Sequence, residues 1–145
     1  MERISYSRRS FLKRTGAASA CAAFPFLRVA GQTSPNEKVN LACCGIGNQG
    51  GSDINALSGT GLCNIVALCD TEMGGKRTQK TLQKFPNAPR YTDFRKMLDK
   101  HDKEIDAVLV GTPDHSHFVI TMEAMRRGKG VFVEKPLAHS FNQID

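Results

Sequence analysis

The sequence lacks the features that would indicate a metalloprotein, a membrane protein or a repeat protein. No two of its five cysteines form a C-x-x-C pattern, so we expect no metal site. No apolar run approaches the roughly 20 residues that a membrane-spanning helix needs, so we expect no stable membrane insertion. Internal repeats and low-complexity tracts are also missing. At 145 residues, the chain is one domain by length.

A basic face is missing too, although basic residues exceed acidic ones by six. Residues 1–28 hold six basic residues and one acidic residue, whereas the remaining chain holds 14 basic and 13 acidic residues. The excess charge therefore belongs to the N-terminal segment. No electrostatic footprint for nucleic acid remains, and we expect no nucleic-acid partner.

The N-terminal segment has a pattern of its own. Residues 7–13 read S-R-R-S-F-L-K, and a weakly apolar run follows at 16–27. This resembles a bacterial twin-arginine (Tat) export signal, which we assign to residues 1–31, with a polar linker at 32–37. The resemblance implies a periplasmic or otherwise exported protein. The alternative is a disordered basic tail, and the cleavage point stays open.

The rest of the chain is organised around a glycine loop. An apolar run at 39–44 continues directly into G-x-G-x-x-G. The first glycine lets the chain turn off the strand, the second lets a pyrophosphate approach bare backbone, and the third lets the next helix pack on the strand. The unpaired N–H groups at the helix N-terminus attract phosphate. The predicted phosphate-binding residues are Gly45, Ile46, Gly47, Asn48, Gln49 and Gly50.

An acidic residue stands where a dinucleotide site needs one. A second apolar run, 64–69, ends in Asp70, which lies 25 residues after Gly45. The expected spacing of the acid that binds the adenosine ribose is about 20 residues. A carboxylate accepts from a 2′-hydroxyl and repels a 2′-phosphate, so NAD is favoured. Lys76 and Arg77 keep NADP possible.

Two other classes of protein also use a glycine-rich loop, and neither fits this sequence as well. A P-loop needs lysine where Gly51 stands, so the γ-phosphate would have no ammonium partner. A methyltransferase also has a glycine-rich turn and an acid after its second strand. It would leave the later motifs of this sequence unexplained.

Alternation of apolar runs with amphipathic segments predicts a doubly wound parallel α/β sheet. The predicted strands are 39–44, 64–69, 90–92, 105–110 and 131–134. The predicted helices are 49–57, 71–85, 94–101 and 117–127. A capping-box pattern at 140–143 predicts one more helix, and the chain stops two residues later, so we expect a truncated domain. The cysteines of the first two strands are expected to be buried, with a disulfide between those strands left open.

Two motifs follow the fourth and fifth predicted strands. Residues 111–117 read G-T-P-D-H-S-H, and residues 134–139 read E-K-P-L-A-H. An open parallel sheet binds its ligand at the carboxyl ends of its strands, so both motifs are placed at the same ligand edge.

Together with the glycine loop and Asp70, these motifs resemble the Gfo/Idh/MocA oxidoreductase family, named for glucose-fructose oxidoreductase and inositol dehydrogenase. The resemblance implies a Rossmann-like NAD(P)-binding domain at 38–145. It also implies an enzyme that acts on a CH-OH group of a sugar or polyol by hydride transfer. Family members continue into a second α/β domain that forms the substrate pocket and the oligomer interface. That domain is missing here, so we expect the chain alone to be inactive and its full-length homologues to be homo-oligomers.

The resemblance also implies roles for single residues. Lys135 would be catalytic, beside the nicotinamide and the substrate hydroxyl, with Glu134 near the nicotinamide ribose. An ammonium there lowers the cost of developing alkoxide charge and can relay a proton. The Lys135–Pro136 bond is expected to be cis. The residues expected to line the cofactor crevice are Thr112, Pro113 and His117.

Two alternatives stay open. One is an NAD-dependent glycosidase that oxidises a sugar hydroxyl transiently so that the glycosidic bond can eliminate; the intact E-K-P at 134–136 weighs against it. The other is a non-catalytic nucleotide-binding fragment.

Overall fold

The computed structural model describes residues 38–143. The predicted export signal and linker lie outside these described residues. The strands are β1 Val39–Cys44, β2 Cys63–Cys69, β3 Arg90–Tyr91, β4 Ala107–Val110 and β5 Gly130–Val133. The α-helices are α1 Asn48–Gly59, α2 Gln79–Lys84, α3 Phe94–His101 and α4 His117–Arg126. Short 3₁₀ helices occupy Asp114–Ser116 and Phe141–Gln143.

The five strands form one parallel sheet in the order β3-β2-β1-β4-β5. The chain builds outward from β1 to β3, then crosses back to the other side of β1 for β4 and β5. The direction of winding therefore reverses between β1 and β4, where Cys44 pairs with Val110 at the carboxyl ends. A doubly wound sheet binds its ligand at this point. The predicted Rossmann-like fold class is confirmed.

Successive side chains of β1 enter two separate cores, one on each face of the sheet, because a strand alternates its side chains. Ala42 and Cys44 belong to one core, and Leu41 and Cys43 to the other. Helices α3 and α4 supply the first core, whereas α1 and α2 supply the second. Strand β4 is covered on both faces, which explains why its sequence is apolar throughout. No helix of the described residues is long and apolar enough to cross a membrane.

The second helix is shorter than the prediction of 71–85. Helix α2 begins only at Gln79, and residues 71–78 form turns. Gly74 has φ of 88°, a left-handed conformation that interrupts a helix. The hydroxyl of Thr78 donates to the carbonyls of Glu72 and Gly75, and these local bonds compete with helical ones.

The other boundary differences are small. Strand β4 begins at Ala107 instead of 105, and β3 ends at Tyr91 instead of 92. The capping-box pattern near the end is present as a 3₁₀ helix, in which the side-chain oxygen of Gln143 accepts from the backbone N–H groups of His139 and Ser140. The bond from the Ser140 N–H to the Gln143 side chain is one of the two bonds of a capping box.

The four cysteines of the described residues are free thiols, so the disulfide left open by the sequence is not formed. Cys43, Cys44 and Cys69 are buried, as predicted, and Cys63 is half-buried. Burial raises the pKa of the Cys43 thiol. A hydrogen bond with Cys69, together with burial, raises the pKa of Cys44. These two thiols are therefore uncharged packing groups at ordinary pH.

Candidate cofactor site

Three glycines bring the glycine loop against the end of β4. Gly45 has φ of 76°, and a Cβ there would lie 2.5 Å from the carbonyl carbon of Gly111. A Cβ on Gly50 would lie 2.0 Å from the Gly45 oxygen, and one on Gly111 would lie 2.6 Å from the Gly50 Cα. Backbone thus packs directly on backbone at the switch point, the place between β1 and β4 where the direction of winding reverses. The sequence signalled Gly111 only as the glycine that follows a strand.

Helix α1 starts at this loop with its first-turn amides free. Gly47 is its N-cap, and no side chain of residues 38–143 caps it. The first N–H groups of a helix have no partner within the helix, and the helix dipole makes this end positive. The start of α1 therefore fits a phosphate group, as the spacing of the glycines predicted.

Asp70 stands at the carboxyl end of β2 and is joined to the loop. Its Oδ2 accepts from the backbone N–H of Ile46 at 2.9 Å, and its Oδ1 accepts from that of Glu72 at 2.8 Å. Each carboxylate oxygen has a second lone pair, so both can still accept from ribose hydroxyls. Asp70 therefore fixes the loop and presents a carboxylate to the cleft at the same time.

Thr81 on α2 supports the loop from behind. Its hydroxyl donates to the carbonyl of Ile46 at 2.8 Å, in a buried position. Ile46 itself is fully buried. The loop is thus held by Asp70 through its N–H group and by Thr81 through its carbonyl.

We expect Thr81→Val to destabilise the fold by about 1–2 kcal/mol, because it leaves the buried carbonyl of Ile46 without its partner. Thr121→Val is the matched control: the Thr121 hydroxyl is also buried but has no hydrogen-bond partner within the described residues. We expect this control to be neutral or slightly stabilising in urea unfolding. Equal losses in the two variants would contradict the supporting role of Thr81.

The cleft beyond the switch point has two adjoining parts. The larger, of about 640 Å³, lies between the turns that follow β1, β2, β3 and β4. The smaller, of about 550 Å³, is lined by Gln49, Glu134 and Lys135. Gln49 lines both parts, so they meet at the start of α1. The predicted residues that line the larger part are Gly45, Gly47, Asn48, Gln49, Asp70, Thr112 and Pro113.

Three predicted residues do not line the cleft with their side chains. Ile46 and Gly50 are buried beneath it and contribute backbone. His117 is 2% exposed and lies behind the wall. Its Nδ1 is 2.7 Å from the carbonyl oxygen of Pro136, and its Nε2 is 2.6 Å from that of Thr112. The Lys135–Pro136 bond is cis, as predicted.

The sequence interpretation missed the contribution of the turn after β3. Thr92, Phe94 and Arg95 line the larger part of the cleft. The signal was available, since they follow a strand that ends at the same edge as Asp70. Arg77, singled out for NADP, also lines this part.

The carboxyl groups of Asp53 and Glu134 are neighbours. On α1, the Oδ1 of Asp53 accepts from the side-chain amide of Gln49 at 2.9 Å, and its buried Oδ2 has no such partner in the described residues. Burial raises the pKa of Asp53, as does the neighbouring carboxyl of Glu134, while the bond from Gln49 opposes the rise. Two carboxylates in contact favour sharing a proton.

This pair gives a pH prediction. A carboxyl with a raised native pKa stabilises the fold only while protonated, and that contribution is lost as pH rises from its unfolded pKa through its native pKa. We expect Asp53→Asn to stabilise the protein at pH 7 by about 0.5 kcal/mol after allowance for solvent screening. The gain over the wild type should vanish near pH 3. Lower stability of the variant at pH 7 in urea titrations would contradict repulsion between the Asp53 and Glu134 carboxylates.

The donors and acceptors of the cleft fit a dinucleotide. Free helix amides and bare glycine backbone suit a pyrophosphate, and Asp70 suits a ribose diol. Residues 38–143 contain no comparable group of metal ligands, that is, no cluster of three or more histidine, cysteine, aspartate or glutamate side chains.

Comparisons with known proteins agree with this geometry. The family model described as "Oxidoreductase family, NAD-binding Rossmann fold" (GFO_IDH_MocA) matches residues 39–145. The match therefore begins at β1 and includes every described strand and helix.

Curated proteins and solved structures are also similar to this chain. "Glycosyl hydrolase family 109 protein 2" of Shewanella sp. (strain ANA-3) is 29% identical over 163 residues, which cover 96% of this chain and 35% of that protein. "Inositol 2-dehydrogenase" of Salmonella paratyphi B is 32% identical over 96 residues, which cover 65% of this chain and 27% of that protein. The WlbA dehydrogenase of Bordetella pertussis, solved in complex with NADH and UDP-GlcNAcA, is 23% identical, with a TM-score of 0.61 over 73% of this chain and 32% of that one.

The chain spans only 35% and 27% of the lengths of these two curated relatives. Its match to the family model covers the sheet, the glycine loop and both later motifs. The chain therefore belongs to the Gfo/Idh/MocA oxidoreductase family and carries its NAD-binding Rossmann domain.

Proposed function

We propose that the chain is the cofactor domain of an exported oxidoreductase that transfers hydride from a CH-OH group of a sugar or polyol. The observation that carries the proposal is the continuity of the cleft. Asp70 lies in one part, Glu134 and Lys135 lie in the other, and Gln49 belongs to both. The adenosine ribose fits the Asp70 part, which leaves the reacting end of the cofactor beside Lys135.

Bound NAD would supply the hydride acceptor, and the residues of the chain would bind the cofactor and stabilise the reacting substrate. The amides at the start of α1 would hold the pyrophosphate, with Asp70 on the adenosine ribose and Glu134 on the second ribose. Lys135 is exposed, so its ammonium is free to approach a carbinol oxygen. A positive charge there stabilises the developing alkoxide, and the ammonium can release a proton to solvent and take up the hydroxyl proton in its place.

The test of this activity uses the full-length protein in which we propose that the domain lies. NAD-loaded protein is mixed with a panel of sugars and polyols, and absorbance at 340 nm reports NADH. We expect Lys135→Met to lower kcat by about 10²–10⁴-fold while NAD affinity changes little, since the ammonium acts on the substrate. Reduction at an unchanged rate in the variant would remove Lys135 from the mechanism.

A second candidate function is supported by several curated relatives that are named for a glycosyl hydrolase family. The Shewanella protein named for a glycosyl hydrolase family matches 96% of this chain. In this alternative the same hydride transfer is transient, and the glycosidic bond eliminates before hydride returns. Release of nitrophenol from aryl glycosides without net NADH would favour the glycosidase, whereas stoichiometric NADH from free sugars would favour the dehydrogenase. A chain that binds NAD without either activity would be a non-catalytic nucleotide-binding fragment.

Export is the part of the proposal that rests on the sequence alone. The S-R-R-S-F-L-K stretch at residues 7–13 supports a twin-arginine route. Fusing residues 1–37 to a folded reporter tests it. We expect periplasmic reporter, lost when Arg8 and Arg9 are both replaced by lysine. Unchanged location in that variant would contradict the proposal.

Export would also constrain the cofactor. Free NAD is scarce outside the cytoplasm, so NAD would be bound before transport and recycled in the same site, with hydride from one substrate returned to another. Slow NAD release from the full-length protein would support this internal recycling, and rapid exchange would contradict it. The proposed partners are thus a small sugar or polyol and further copies of the full-length protein.

A further inference from the structure

The residue His117 holds a position that the proposed mechanism does not use. It is the first residue of α4 and 2% exposed. Both of its ring nitrogens face backbone carbonyl oxygens, those of Thr112 at 2.6 Å and Pro136 at 2.7 Å. Both distances are at the short end of the hydrogen-bond range.

Carbonyl oxygens only accept, so a hydrogen bond to either of them needs an N–H on the imidazole ring. The ring of His117 therefore lies between the two carbonyls and can donate to the turn on either side.

The two carbonyls belong to the two turns that form the ligand edge. Thr112 follows β4 and lines the larger part of the cleft. Pro136 follows Glu134 and Lys135, which line the smaller part. We infer that His117 is a positioning residue that fixes the E-K-P turn at 134–136 against the cofactor cleft. This inference rests on the proposed function for its consequence, and on the hydrogen-bond geometry alone for the place of His117 between the two turns.

Amide hydrogen exchange of the 145-residue chain, followed by NMR without any cofactor, tests the link between the two turns. We expect His117→Gln to speed exchange of the Lys135 and Leu137 amides, which flank Pro136, because the turn loses its contact with the ring. Unchanged exchange of both amides would overturn the inference. This measurement needs no NAD binding, so it stands apart from the fate of the proposed function.

Calorimetric titration with NAD and with ADP tests the positioning. ADP fills only the adenosine and pyrophosphate end, so loosening the E-K-P turn should leave the affinity for ADP nearly unchanged. We expect His117→Gln to weaken NAD about tenfold, which corresponds to the loss of one buried hydrogen bond, and ADP less than twofold. His139→Gln, at an exposed histidine beyond the same turn, should change neither. Equal losses for both ligands, or none for NAD, would overturn the inference; failure of the wild type to bind NAD would overturn the proposed function instead.

Discussion

Asp70→Ala is expected to weaken NAD binding by the chain about a hundredfold. The carboxylate is placed to accept from the adenosine ribose hydroxyls, and hydrogen bonds to a charged acceptor are each worth about 1.5–3 kcal/mol. Its Oδ2 also holds the Ile46 N–H at 2.9 Å, so the substitution loosens the loop that would receive the pyrophosphate. Isothermal titration calorimetry with wild type and variant measures the ratio of affinities directly.

Asp106→Ala is the matched control for this experiment. Its Oδ2 accepts from the Asn40 N–H at 2.8 Å, which is the same kind of bond at the opposite edge of the sheet. Asp106 precedes β4, whereas Asp70 follows β2. We expect Asp106→Ala to lose a similar amount of stability and to keep its NAD affinity. Equal loss of affinity in both variants would mean that Asp70 acts only through folding.

Gly50→Ala is expected to cost about 3–5 kcal/mol of folding free energy, enough to unfold a marginal domain. The new Cβ would lie 2.0 Å from the Gly45 carbonyl oxygen and 3.1 Å from that of Gly111. Both neighbours are backbone atoms, which cannot rotate away. Relief would require α1 to move off the sheet, with loss of the packing of Ile54.

Gly59→Ala on the same helix should have the opposite sign. Gly59 is the last residue of α1, and a Cβ there has no atom within 4 Å. Alanine loses less conformational entropy than glycine in a helix, so we expect a gain of up to about 1 kcal/mol. Urea unfolding followed by circular dichroism compares the two variants. A tolerated Gly50→Ala, with a midpoint near the wild-type value, would contradict the close packing of the three glycines.

The fold could be predicted from the sequence because its signals are local. An apolar run entering G-x-G-x-x-G, an acid after the next run, and apolar β4 each depend on a few consecutive residues. The order of the strands then follows from the rules for doubly wound sheets. The length of the second helix could not be predicted in this way, because the side chain of Thr78 and the left-handed Gly74 decide it.

The site was predictable to the extent that strand ends define it. Asp70 follows its strand directly, Thr112 and Lys135 each follow theirs after one intervening residue, and all three line the cleft. The supporting contacts were not predictable, because they join residues far apart in the chain. Thr81 reaches Ile46 across 35 positions, and His117 reaches Pro136 across 19. Nothing in the residues around His117 indicates that both of its ring nitrogens meet carbonyls.

We propose that the cleft between β1 and β4 binds NAD through Asp70 and the glycine loop. Calorimetric titration of the 145-residue chain with NAD, and separately with NADP, tests this. We predict saturable binding at one site, tighter for NAD because the Asp70 carboxylate repels a 2′-phosphate. A chain that circular dichroism shows to be folded, yet that binds neither cofactor, would contradict the claim.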